Sequence, residues 1–217
     1  MVSLQIEQSL WDKGIEHIAF CDEVGRGPLL GSVVAAAVIL PIGLLIEEVD
    51  DSKKLSLKKR EFLYDKIIDS CLAFGVGEVD STVIDEINIR QASRLAMKQA
   101  VQNLTNHDGV IVKPDYLLID CETIDLDIPQ RGIVHGDALS HGIAAASIIG
   151  KVVRDRKCLE WDEAFPNYGI ARHKGYSTKS HIEALLTFGP TALHRRTFLR
   201  KIIARATIQQ QQLFNNI

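Results

Sequence analysis

The sequence predicts an α/β or α+β fold, and three observations carry that prediction. Short apolar runs bounded by glycine and charged residues fill the first forty or so positions, apolar residues at three- and four-residue steps dominate later, and 46% hydrophobic content over 217 residues is enough to bury one substantial core. Strands therefore come first and helices later.

Residues 17–22 and 33–40 read as strands joined by a glycine turn, and Cys71 to Val79 reads as a third, in a hairpin-like meander. Between the second and third, Ser56 caps a helix with Phe62, Leu63, Ile67 and Ile68 on one face. Ile89, Ala92, Leu95, Ala96, Ala100 and Leu104 then mark an amphipathic helix that ends at Asn106-His107-Asp108-Gly109. Tyr116 to Asp120 is the fourth strand, and the fifth lies around Gly132 to His135. From Ala138 the run Ile143 to Ile149 is apolar on every side, which predicts a central buried helix that becomes charged at Lys151 and Arg154. Helices follow from about Lys179 to Phe188 and from about Leu193 to Ala206.

Composition narrows the function. Cys21, Cys71, Cys121 and Cys158 show no Cys-x-x-Cys spacing, which points to a reduced, cytoplasmic chain. The N-terminus lacks a basic region followed by an apolar run, so no signal peptide is predicted, and no apolar stretch is long enough to span a bilayer. Net charge is −3, yet residues 151–205 hold twelve Lys/Arg against five Asp/Glu, leaving the remainder at −10. Such a basic quarter attracts phosphates, although solvated helix faces give the same count.

Phe20-Cys21-Asp22-Glu23-Val24-Gly25-Arg26-Gly27 is the most informative segment: an apolar strand runs into two adjacent carboxylates. Anions at a core edge need a hydrogen bond, a counter-charge or a metal. Side chains alternate along a strand, so the pair converges only where the strand ends or kinks, as Gly25 and Gly27 allow. Asp120 closes the fourth strand, and Asp137 stands before the buried helix. Singly these carboxylates read as an exposed pair, a strand end and a helix cap; a divalent ion would need them to converge. Oxygen-only ligands favour Mg2+ or Mn2+ over zinc.

These segments, with Asp51-Ser52-Lys53, Ala144-Ala145-Ala146-Ser147, Lys151-Val152, Arg154-Asp155-Arg156, His173-Lys174-Gly175-Tyr176 and His194-Arg195-Arg196, resemble bacterial ribonuclease HII, a type 2 ribonuclease H, in the family's order from about residue 16 to 200. The resemblance implies an α/β, ribonuclease H-like fold: a mixed five-stranded sheet flanked by helices, with a helical C-terminal extension. It implies one catalytic domain at residues 1–206, helical from about 160, and a flexible tail at 207–217.

The resemblance also implies the chemistry. Asp22, Glu23, Asp120 and Asp137 would be the catalytic, metal-binding set for two divalent ions, Mg2+ or Mn2+. The reaction would hydrolyse the RNA strand of RNA/DNA hybrids and cut 5′ of single ribonucleotides in duplex DNA, leaving 3′-hydroxyl and 5′-phosphate ends. Gly25, Arg26 and Gly27 would contact the ribose 2′-hydroxyl, and Tyr176 would stack on the following deoxyribose. Ser52, Lys53, Ser147, Lys151 and Arg154 are the implied phosphate contacts. Three positions depart from the pattern: Cys121 and Ser177 replace glycines and Gly150 replaces an alanine. Cys21 and Cys121, each beside a carboxylate, suggest a redox influence on activity.

The segment from Gln210 to Phe214 looks like the Gln-Leu-Phe tails that dock on replication sliding clamps. The family resemblance otherwise implies a monomer. A ribonuclease HIII-like hybrid nuclease fits less well, because Arg26 stands where that family has lysine. A non-catalytic nucleic-acid-binding module would lack one of the carboxylates, and a metal-dependent phosphatase gives no reason for the basic quarter.

Overall fold

The computed structural model describes residues 2–200 and 202–204. Its strands are β1 (Ile18–Val24), β2 (Val33–Ile39), β3 (Ala73–Val79), β4 (Tyr116–Asp120) and β5 (Gln130–Ile133). They form one sheet in the order β3-β2-β1-β4-β5. The first three pair antiparallel as a meander, whereas β4 lies parallel to both β1 and β5. This is a ribonuclease H-like α/β fold with a mixed sheet.

β2 is buried along its whole length, which is why it reads as a continuous apolar run rather than an alternating one. One of its faces packs with Phe20 and Leu118 against α5 (His141–Ala164); the other packs with Cys21 and Ile119 against α3 (Ser81–Gln102). Small residues permit this closeness. A Cβ on Gly77 of β3 would stand 2.0 Å from the Ala96 carbonyl of α3, so the helix rests on the strand backbone.

Several boundaries differ from the sequence expectation. β1 runs two residues past Asp22, because Asp22 and Glu23 stay paired with Ala36 and Ala35. β5 begins at Gln130 rather than Gly132, held by its register with Leu117, and His135 at φ +58 has left the strand. The α3 helix starts at Ser81, capped by the Asp80 carboxylate and kinked at Asn88, so its first turns precede the predicted start. The buried helix is split in two: α4 (Gly136–Leu139) ends at Ser140, whose hydroxyl oxygen caps α5 by accepting from the Ile143 N–H. On α2 (Leu57–Ser70), capped by Ser56 as predicted, Phe62 is half exposed beneath Lys59 and Lys66 instead of buried with Leu63 and Ile67.

The helix α1 (Gln5–Trp11) has no sequence signal. Its Glu7 is buried and accepts from the Ser140 hydroxyl at 2.6 Å and the Gly142 N–H at 3.1 Å, placing an anion at the positive end of α5. Carboxylate and helix dipole reinforce each other there.

The C-terminal part comprises a short turn at Pro166–Tyr168, α6 (Ile170–His173), α7 (Lys179–Phe188) and helical residues 196–200 and 202–204. It packs through Tyr168, Ile170, Leu185 and Leu199 against Leu29 and Leu30, in the loop after β1. The predicted helix end at Ala206, the tail at 207–217 and the clamp-like segment from Gln210 to Phe214 lie outside the described residues. Among the described residues no helix is long and apolar enough to cross a membrane.

Candidate active site

β1 and β4 run parallel as neighbours, and their last paired residues are Cys21 and Ile119. Asp22 and Asp120 therefore stand side by side one residue further on, on the sheet face that carries Phe20 and Leu118. In parallel sheets the ends of the strands are where ligands bind. Glu23 alternates to the other face but enters the same cleft, because Gly25 at φ +100 turns the chain directly after β1. Asp22, Glu23, Gly25, Arg26, Gly27, Ser52, Lys53, Asp120, Lys151 and Tyr176 line this cleft of about 240 Å³.

Asp137 joins from α4. Its carboxylate accepts from Lys53 Nζ at 2.8 Å, while the Gly136 N–H donates to Asp120 at 2.6 Å. The left-handed His135 aims that N–H at the strand end. Glu23 accepts from Arg26 at 3.2 Å on one oxygen; its Oε2 is buried with no hydrogen-bond partner.

The electrostatics are those of anions lacking compensation. Burial, and then the charges of Glu23, Asp120 and Asp137, push Asp22 well above the usual carboxylate range. Burial raises Glu23 to about 7 against the opposing pull of Arg26, and burial also raises Asp120. A hard divalent cation suits four carboxylates, one of them with an orphaned oxygen. Among the described residues no three ligating side chains form a closed cluster; Arg26 and Lys53 instead pair with Glu23 and Asp137.

Not every candidate faces the cleft. The Ser147 hydroxyl is buried and donates to the Ala144 carbonyl within α5. Arg154 is fully buried, its guanidinium donating to the Ser32, Lys174 and Leu30 carbonyls. Both lie under the surface, where no phosphate reaches them; their charge or polarity in the sequence is spent on helix and loop. Lys151 lines the cleft and pairs with Asp155 at 2.5 Å, which also pairs with Arg60. Tyr176 is half exposed, and its ring lies against Gly27, where a Cβ would stand 3.4 Å away.

The three family departures have local explanations. Cys121 adopts φ +56, the region that favours glycine, so the usual residue there meets a conformational demand that cysteine tolerates at a cost. A Cβ on Gly150 would stand 3.3 Å from Val24, so alanine would need only a small shift. Ser177 is exposed. Cys21 is fully buried and its thiol is raised by that burial, which opposes the reactive thiolate that a redox role requires.

Arg195 was named in a motif but given no task by the sequence. It is fully buried and donates to four backbone carbonyls of the loop from Gly25 to Gly31. Its place in the run His194-Arg195-Arg196 was the available signal, and composition alone could not separate it from the exposed Arg196.

A mixed five-stranded sheet with carboxylates gathered at the ends of two parallel neighbours defines the ribonuclease H class. The ribonuclease HII family model matches residues 20–201. Ribonuclease HII of Alkaliphilus metalliredigens (strain QYMF) is 63% identical over 203 residues, which cover 94% of this chain and 100% of that one. Ribonuclease HII of Bacillus subtilis (strain 168) is 53% identical over 187 residues, covering 86% and 71%. The crystal structure of the ribonuclease H2 from Pyrococcus horikoshii OT3 superimposes with TM-score 0.71 at 25% identity, covering 87% of this chain and 97% of that one. The chain belongs to the ribonuclease HII family and is a ribonuclease H.

Proposed function

We propose that this enzyme hydrolyses the RNA strand of RNA/DNA hybrids and cuts on the 5′ side of single ribonucleotides in duplex DNA. The observation that carries the reading is the single cleft that brings Asp22, Glu23 and Asp120 together with the Gly25-Arg26-Gly27 turn and Tyr176, with Asp137 tied to its Lys53. Asp22, Glu23, Asp120 and Asp137 would hold two divalent ions, Mg2+ or Mn2+. When bound, such ions activate water and neutralise charge on the attacking and leaving oxygens, giving 3′-hydroxyl and 5′-phosphate products.

The chain's own residues do the rest. Lys53, Lys151 and Arg26 place positive charge around the carboxylates and orient the phosphate backbone. Ser52 lines the same wall. Main-chain groups of Gly25, Arg26 and Gly27 read the 2′-hydroxyl, the group that distinguishes RNA from DNA. Tyr176, packed on Gly27, presents its ring to the next sugar. Docking on a sliding clamp through Gln210 to Phe214 belongs to the same proposal and rests on the tail sequence alone.

The test is cleavage of a labelled duplex with one embedded ribonucleotide, with and without Mg2+ or Mn2+, beside an RNA/DNA hybrid and an all-DNA control. Metal-dependent cutting 5′ of the ribonucleotide is the expected outcome. Cutting of the hybrid alone would restrict the reading to a hybrid nuclease, and cutting of the all-DNA duplex would overturn it.

A further inference from the structure

Arg154 and Arg195 are both fully buried. Among the described residues the arginine–carboxylate ion pairs are those of Arg26, Arg60, Arg90 and Arg156, so neither buried guanidinium pairs directly with a carboxylate, Asp85 acting on Arg195 only at longer range. A buried cation without a counter-ion is costly unless every N–H is satisfied. Here backbone carbonyls take four of the five N–H groups of Arg195, and three carbonyls and the Cys158 sulfur serve Arg154. Arg195 donates to Gly25 (2.7 Å), Arg26 (2.9 Å), Pro28 (2.9 Å) and Gly31 (2.9 Å). Arg154 takes Leu30 (3.4 Å) and Ser32 (3.3 Å), and ties them to Lys174 (3.1 Å) beside Tyr176.

The consequence for the loop follows from peptide geometry. A trans peptide points its C=O and the next N–H in opposite directions, and no peptide among the described residues is cis. With the Gly25 and Arg26 carbonyls drawn onto Arg195, the N–H groups of Arg26 and Gly27 are turned away from it. Neither N–H donates to an acceptor among the described residues, and both residues line the carboxylate cleft. Gly25 is fixed by the other arginine: a Cβ there would stand 2.2 Å from Arg154 Nε. Lysine would not substitute, because a single ammonium cannot reproduce the planar fork that reaches four carbonyls.

We propose that Arg195 and Arg154 are positioning residues for substrate choice, holding the 25–32 loop so that the Arg26 and Gly27 amides face the cleft as donors to a ribose 2′-hydroxyl. This rests on the ribose reading proposed above. The two guanidiniums touch no substrate. They set the orientation of the groups that do.

The test crosses enzyme variants with substrate sugars. Wild type, Arg195→Lys and Arg154→Lys, each as the full chain, are compared on duplexes that differ only in one 2′-hydroxyl, for cleavage with metal and for binding in chelator. Thermal melts accompany each variant. Both variants should melt cooperatively and bind the all-DNA duplex within about 3-fold of wild type, while kcat/KM on the ribonucleotide duplex falls by about 100-fold, the cost of a misplaced contact. Their preference for the ribonucleotide duplex over DNA in binding should fall towards one. Folded variants that keep the wild-type preference would overturn the proposal. So would variants that lose cooperative melting, or that weaken both duplexes equally, since the arginines would then be only structural. A wild-type enzyme with no ribose preference would instead sink the reading on which the proposal stands.

Discussion

Asp22 and Arg195 are almost equally withdrawn from water, at 5% and 0% exposure, and only the Gly25 turn separates them. Their surroundings differ completely. Asp22 faces three other carboxylates, and burial adds to their repulsion. Arg195 faces a ring of carbonyl oxygens that satisfy it. Clustered like charge suits a metal and a phosphate; the Arg195 guanidinium, although burial and then Arg154 lower it to about 9, has its N–H groups held by carbonyls and fixes the shape of the wall beside it. The proposed reaction would need both, because selectivity for one sugar requires a rigid reader next to a reactive anion cluster.

The sharpest way to break the comparison is to neutralise one anion. Asp22→Asn and Asp137→Asn should each lower kcat on the order of 10³-fold or more, as expected where a ligand acts as part of a unit. The fold should survive, because Asn keeps the shape and relieves repulsion. A melting temperature at or above wild type, with activity lost, is the expected pair of readings. Substantial residual turnover would contradict the role of these carboxylates.

A smaller effect concerns the metal itself. Divalent ions that bind only the folded state stabilise it by about 2.7 kcal/mol at a hundredfold excess over Kd, or roughly 5–10 °C for a chain of this size. Titrating Mg2+ or Mn2+ into the enzyme should raise the melting temperature by that amount, and Asp22→Asn should blunt the shift. The carbonyl-satisfied Arg195 region should not respond. An equal metal shift in wild type and Asp22→Asn would place the ion elsewhere.

How much of this was visible in the sequence divides along the same line. Asp22, Glu23 and Asp120 were legible because each ends an apolar strand, where a carboxylate is anomalous. The meander of the first three strands and the α7 boundaries followed from periodicity, and the mixed five-stranded sheet from the family resemblance. Ser147 and Arg154 misled because a polar or basic residue in a motif looks the same whether it meets phosphate or backbone. Burial decides between them, and burial of an arginine depends on carbonyls supplied by a loop 122 positions away in sequence. Glu7 was invisible for the same reason: its hydrogen-bond partners are 133 and 135 residues distant. The left-handed Cys121 and His135, likewise, are conformations set by tertiary contacts and carry no local signal.

The C-terminal half of the comparison extends to histidine. His173, His181 and His194 are buried in contact, with His173 stacked on His181 at 4.2 Å and His181 Nε2 3.1 Å from His194 Nε2. His181 Nδ1 donates to the Tyr176 carbonyl, so its Nε2 accepts from His194; the His194 Nδ1 in turn accepts from the Thr191 N–H. His181 and His194 are each neutral in this network. Burial, with His181 and His173 nearby, lowers His194 to about 4. The unfolded chain therefore binds a proton near pH 6.5 that the folded protein refuses, so stability from this residue is complete above 6.5 and is lost as pH falls towards 4. At pH 5 the loss is on the order of 2 kcal/mol, or roughly 5 °C. Melting curves of wild type and His194→Gln between pH 7.5 and about 4.5 isolate the term, because the carboxylate cleft is common to both. The wild-type melting temperature should fall more steeply below pH 6.5 than that of the variant; parallel curves would mean that His194 takes up its proton without cost, and that the histidine cluster tolerates charge as the carboxylate cleft does not.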